Sequence, residues 1–232
     1  MFVFMVNKKL LVYLEGFLTT ERKDTFKRIL NERTRHFSIV LEDIYQPHNS
    51  SAVVRTCDVF GIQDLYTIEN KYTNKVSKYV TKGAQKWITQ KRYKSDGDNT
   101  LSCIKDLKDK GYQIIATSPH SDANILNDFK IDKKTAFVFG AEATGISDTV
   151  RQHADGFLKI PMTGFTESLN ISVAAAIIVH EVTTKLKKSN ISWHLTKLEK
   201  EALYLNWVRK TIKNVEKIEE RYFKNEGTFT NE

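Results

Sequence analysis

Apolar residues fall along this chain in two rhythms. Short runs of strand length occur at 37–41 (FSIVL), 65–68, near 87–89, 112–117 (YQIIAT), 135–139 (TAFVF) and 157–160. Between them, apolar positions recur at steps of three or four. That spacing predicts helices over 51–60, 101–110 and 168–186, with a loop rich in Lys, Tyr and Thr over 69–82. Asn49 is a suitable cap for the first of these helices and Gly61 a suitable end; Gly111 stops the second, and Ser168 or Asn170 can cap the third. Strands that alternate with helices predict an α/β fold with a parallel sheet covered on both faces.

The ends of the chain follow the helical rhythm alone. An amphipathic helix is expected from the first residues through Leu10, Leu11 and Leu14, and helical structure is expected on to about His36, with Phe26, Ile29 and Leu30 as its apolar positions. After Lys188, the residues Leu198, Ala202, Leu205, Val208, Ile212, Val215 and Ile218 form a stripe that Trp207 and Tyr222 extend. The expected organisation is a helical extension over 1–36, a core domain over 37–188 and a second helical extension over 189–232.

Composition narrows the class of protein. Of 232 residues 41% are hydrophobic, and with three prolines and ten glycines the chain is neither disordered nor fibrous. The formal net charge of +8 favours polyanionic partners, because neutralising phosphates releases counterions. Six basic residues between Arg22 and Arg35 and others over 185–217 are candidates to grip a nucleic-acid backbone. Cys57 and Cys103 lie in no metal-ligand spacing, so reduced thiols in a cytoplasmic protein are expected, with no metal site. No apolar run reaches membrane length, which predicts a soluble protein.

Three segments carry candidate chemistry. The first, NSSAVVR, puts Asn49 and Arg55 on the helix after the first strand; an arginine among so many apolar neighbours needs an anionic partner or an edge position. The second, FGAEATGIS, follows a strand directly: Gly140 allows close backbone approach, Gly145 a tight turn, and Glu142 is an acid at the strand's carboxyl end. It lacks the spacing and the lysine of a phosphate-binding loop. The third, IPMTGFTESLNISVAAA, leads into the longest core helix, where Ala174 to Ala176 permit close packing. In open α/β sheets ligands bind beyond the carboxyl ends of strands, so these loops are where a site is expected.

Taken in this order and spacing, the three segments resemble the sequence motifs of the TrmH family of the SPOUT methyltransferases, over about residues 37–186, some two thirds of the chain. The resemblance implies a Rossmann-like parallel sheet whose C-terminal part, about 135–186, is tied into a deep trefoil knot. It implies S-adenosylmethionine as cofactor, bound in the knot by Thr117, Gly140, Ile160 and Leu169 with Met162 nearby. It implies catalytic-site roles for Asn49, Arg55, Glu142, Ser168 and Asn170, a homodimer formed through the knot, and transfer of a methyl group to a ribose 2′-OH of RNA. A free arginine is too basic to serve as a proton acceptor. Arg55 is therefore expected to bind phosphate and position the hydroxyl, with the proton leaving through that phosphate or a water.

Within the family, the run QPHNSSAVVRT, the short basic N-terminal extension and the helical C-terminal tail resemble the branch that methylates guanosine 18 in the D-loop of tRNA. The 36 residues before the first strand are too few for the folded substrate domain common among ribosomal-RNA members. A ribosomal-RNA methyltransferase of the same fold, and an RNA-binding protein that has lost catalysis, are the two alternatives.

Overall fold

The computed structural model describes residues 7–118 and 123–228, in two compact units. Residues 1–6, where the first helix is expected to begin, lie outside the described residues.

Unit one combines the two ends of the chain, Met1–Arg33 and Leu195–Glu232. Within it α1 (Lys8–Glu15) buries Leu10 and Leu14, and α2 (Thr20–Leu30) buries Phe26 and Leu30. The C-terminal stripe is not one helix. It is divided into α8 (Lys197–Thr211) and α9 (Val215–Thr228), with Asn214 between them at a left-handed φ of 53°. The α8 start is a capping box of Thr196 and Glu199. The helix buries Leu203, Tyr204, Leu205, Trp207 and Val208, whereas Leu198 and Ala202, the expected first members of the stripe, face solvent. Phe26 meets Tyr204 and Trp207 edge-on, and the Arg33 guanidinium lies over the Trp207 ring.

Unit two, Thr34–His194, holds the sheet. Its elements are β1 (Phe37–Glu42), α3 (Pro47–Val59), β2 (Asp64–Ile68), α4 (Lys78–Thr81), β3 (Thr89–Tyr93), α5 (Asn99–Asp109), β4 (Gln113–Thr117), β5 (Asn124–Ile125), β6 (Thr135–Phe139), α6 (Asp148–His153), β7 (Gly156–Lys159) and α7 (Ile171–Lys188). The seven strands run parallel in the order β3-β2-β1-β6-β4-β7-β5. Period-two alternation sends Phe37, Ile39, Leu41, Phe137 and Phe139 to one face, where α3 and α7 cover them with Val53, Val54, Cys57, Ile178, Val179 and Val182. Val40, Ala136, Val138, Ile114 and Ala116 go to the other, under Cys103, Ile104 and Leu107 of α5 and Val150 of α6.

Two expectations shift. The strand near 87–89 is β3, two residues later, after a 3₁₀ turn over Ala84–Lys86. It is an exposed edge strand of sequence TQKRY, so it carries no apolar signal. The first core helix begins earlier than the Asn49 cap suggests: Gln46 is the N-cap, without a side-chain bond, and Pro47 takes the first turn, where its missing N–H costs nothing. The ends of β1, β6, β4 and β7 stand side by side, and β1 and β6 are where the order of strands turns from one direction to the other.

Candidate active site

Starting α3 at Pro47 places Asn49 in its first turn, buried, with an amide free for other work. Asn49 Nδ2 donates to Glu142 Oε1 at 2.6 Å, and Asn49 Oδ1 accepts from Asn170 Nδ2 at 3.1 Å. Asn170 is the N-cap of α7: its Oδ1 accepts from the Ser172 backbone N–H at 2.9 Å and from Ser172 Oγ at 2.7 Å. Those bonds fix which end of the Asn170 amide turns to Asn49. One amide thus ties together three segments far apart in sequence.

The loop after β6 presents Glu142. Ala141 and Gly145 exchange both backbone hydrogen bonds, at 3.0 and 2.8 Å, and Gly145 has a φ of +68°. The closed ring lies back on Gly140 so tightly that a Cβ there would stand 2.1 Å from the Gly145 carbonyl carbon and 2.3 Å from Ile146 N. No other residue fits at 140. Beyond the ring, buried Glu42 at the end of β1 accepts from Ser147 N at 2.9 Å, Ser147 Oγ at 2.7 Å and Thr100 Oγ1 at 2.7 Å. A carboxylate out of water is tolerated when donors replace its hydration, and these three do so. Sequence reasoning misses Glu42, because an acid ending an apolar run reads as a surface residue.

Asn49, Glu142, Ser168 and Asn170 line one cavity of about 560 Å³, together with Thr117, Gly140 and Leu169. A second, of about 120 Å³, adjoins it through Thr117, Ser168 and Leu169 and adds Ile160 and Met162 beside apolar Leu158, Ala174 and Ile178. Nine of the ten residues singled out from the sequence therefore line this pair of cavities. Arg55 does not. It is exposed on α3, outside both linings, and makes no ion pair among the described residues. Arg151 and Ser118 line the larger cavity and carry no signal in the sequence; Gln46, which opens the run QPHNSSAVVRT, lines it as well.

The basic N-terminal run is less free than its charge suggests. Arg22, Lys27 and Arg28 are exposed, but Arg33 is buried against Trp207 and Arg35 Nε is paired with Asp64 Oδ2 at 3.0 Å. The expectation that all six grip a polyanion is corrected at these two, whose charges are engaged by the protein's own groups. Burial pushes the Asp64 carboxyl above the usual carboxylate range, against the pull of Arg35.

Residues 36–180 match the SpoU rRNA Methylase family. The chain is 41% identical over 206 residues to a tRNA (guanosine(18)-2′-O)-methyltransferase of Borreliella burgdorferi, covering 89% of this chain and 93% of that one. It is 31% identical to the protein of the same name from Thermus thermophilus, covering 83% and 98%. Among solved structures it is similar to the TrmH/SpoU tRNA modifying enzyme of A. aeolicus, with a TM-score of 0.74 and 28% identity over 83% of this chain and 97% of that one. The SpoU methyltransferase AviRb of Streptomyces viridochromogenes, solved in complex with AdoMet, shares the fold at a TM-score of 0.59 and 23% identity, over 70% of this chain and 65% of that one.

Proposed function

The chain belongs to the SpoU rRNA Methylase family, and from that premise we propose that it transfers a methyl group from S-adenosylmethionine to the ribose 2′-OH of guanosine 18 in tRNA. The observation that carries this reading is the hydrogen-bonded set Asn49–Glu142–Asn170 on a cavity at the carboxyl edge of the sheet. The likeness to tRNA (guanosine(18)-2′-O)-methyltransferases along 89% of the chain supports tRNA over ribosomal RNA.

The paired cavities suit the cofactor. Leu158, Ile160, Met162, Leu169, Ala174 and Ile178 offer an apolar slot for an adenine, and Thr117 and Ser118 offer a few polar groups to orient it. Gly140 holds the β6 loop flush against this space. When bound, S-adenosylmethionine supplies an electrophilic methyl on sulfur. The chain's own part is to hold the ribose hydroxyl and to let its proton leave. Ser168, Asn170 and Glu142 shape the wall on which the ribose rests. Arg55 fixes an RNA phosphate, and the proton departs through that phosphate or a water, since a guanidinium is too basic to take it.

The same proposal extends to the threading of the motif region, the assembly and the compartment. The family resemblance of the motifs over 135–186 supports a chain tied there into a trefoil knot. Two copies associate through this region, covering the exposed Met162, Phe165, Leu169, Val173 and Ile177. Arg55, outside the cavity of its own chain, then serves the cavity of the partner. A tRNA substrate sets the reaction in the cytoplasm. Among the described residues no helix is long and apolar enough to cross a membrane.

The test is to incubate the protein with labelled S-adenosylmethionine and unmodified tRNA and to map the product. A 2′-O-methyl group at guanosine 18 is the expected result. Methylation of ribosomal RNA alone would overturn the tRNA assignment.

A further inference from the structure

A third cavity, of about 640 Å³, adjoins the one that holds Asn49 and Asn170 and shares Gln46 and Glu142 with it. Its outer wall carries Tyr45, Lys71 and Tyr72. The two rings are 67% and 42% exposed and meet edge to face, with centroids 5.1 Å apart and planes at 67°. They are the large exposed apolar groups of that wall.

The loops that bear them are rigidly held. Asp43 stands at a left-handed φ of 50°, a conformation that a non-glycine residue adopts at a cost. Its Oδ1 accepts from the backbone N–H groups of Asn70 and Lys71 at 2.8 Å each and of Tyr72 at 3.4 Å. Asn70 Nδ2 donates to Thr100 Oγ1 at 2.9 Å, and Thr100 donates on to Glu42. The buried chain of bonds that fixes Ser147 thus continues beneath the cavity to the Tyr72 segment. These bonds order two aromatic faces that fill no core.

Aromatic faces beside a cation on the outer wall, away from the acids Glu142 and Asp148 that also line the cavity, suit an unstacked nucleobase with its phosphate. The volume lies within the usual range for a small-molecule site. We infer that this cavity receives a nucleobase of the RNA flanking the methylated ribose, stacked on the face of one of Tyr45 and Tyr72 and bordered by the other, with Lys71 at the adjoining phosphate. The inference rests on the RNA methyl-transfer reading above and adds the residues that grip the substrate beside the reacting centre.

Leucine matches the bulk of the rings without their π faces, so Tyr45→Leu and Tyr72→Leu are the informative variants, with Tyr→Phe and Tyr→Trp as their controls. The tRNA dissociation constant and KM are measured alongside S-adenosylmethionine binding by calorimetry. Both leucine variants weaken tRNA binding by about 5- to 150-fold, the range expected for one lost base–aromatic stack. Phe and Trp retain it, and cofactor affinity is unchanged in all four. Leucine variants within twofold of the wild type, or Phe variants that lose as much as Leu, overturn the stacking site while leaving the methyl-transfer reading intact. A wild-type protein that neither binds nor methylates RNA overturns both.

Discussion

The Asn49 amide and the Glu142 carboxylate, 93 positions apart in the chain, meet at 2.6 Å. Because the same amide accepts from Asn170, the first turn of α3, the loop after β6 and the start of α7 keep their mutual orientation through one side chain. Asn49→Ala leaves a carboxylate and an amide without their shared partner. A bond to a charged group contributes about 1.5–3 kcal/mol, so kcat should fall roughly 10- to 150-fold. Glu142→Gln keeps an acceptor but removes the charge, and should cost less. Steady-state kinetics on tRNA, with cofactor affinity measured separately, checks the order; an Asn49→Ala enzyme within twofold of wild type would sink the positioning role.

Gly140→Ala is the most damaging small substitution in the site. The added Cβ meets backbone atoms of Gly145 and Ile146 at 2.1 to 2.3 Å, and backbone held by the Ala141–Gly145 bonds has little room to yield. Destabilisation of at least ~3 kcal/mol is expected, which lowers Tm by roughly 6–12 °C in a protein of this size. Cofactor binding should be lost with it. Thermal melts and calorimetry report the two effects, and an unchanged Tm would refute the packing argument.

Arg55 is exposed, so truncating it should leave the fold alone. Arg55→Ala should shift stability by less than ~0.5 kcal/mol yet reduce methyl transfer at least ~100-fold. Arg55→Lys retains the charge without the planar fork and should recover only part of the activity. Near-full turnover by the lysine variant would show that fork geometry is irrelevant. Mixing Arg55→Ala with an Asn170→Ala chain tests whether the arginine acts across subunits: partial recovery of activity is expected from dimers with one intact site.

His36 gives the fold a pH dependence. Its Nε2 lies 2.7 Å from the Ile131 carbonyl, so that nitrogen carries the proton and donates. Burial lowers the imidazole pKa below 6.5 and Lys134 adds to the effect, while the Ile131 bond and Asp132 oppose it. The folded state therefore binds this proton more weakly than the unfolded chain does. The contribution of His36 is complete above the unfolded value of about 6.5 and is lost as pH falls toward the folded value. Tm should drop as pH falls below about 6.5, and drop less in His36→Gln. Equal slopes for the two proteins would rule His36 out as the source.

The sheet was legible where burial imposes a rhythm. Phe37, Ile39 and Leu41 alternate with Val40 because β1 is covered on both faces, and β6 repeats the pattern. β3 was displaced because an edge strand of exposed polar residues has no rhythm to read. The start of α3 was misplaced for a different reason. Local chemistry makes Asn49 a good cap, but two tertiary partners claim its amide, and neither is near it in sequence. Glu42 shows the same limit: the donors that make it a buried anchor come from Thr100 and Ser147. The motif spacing, by contrast, singles out nine residues that the fold brings to one pair of cavities, since each sits at or just beyond the carboxyl edge of a strand or at a helix start beside it.

The unit built from both chain ends sets a schedule for biosynthesis. Phe26 packs on Trp207, and Asn31 accepts from Lys200, so the first two helices cannot bury their apolar faces until α8 has been made. At a synthesis rate of 5–20 residues per second, that wait lasts roughly ten to forty seconds. Throughout it Leu10, Leu14, Phe26 and Leu30 lack their final cover, while the sheet that follows them in the chain is already complete. The first two helices therefore complete their packing only after the whole sheet that follows them has been made.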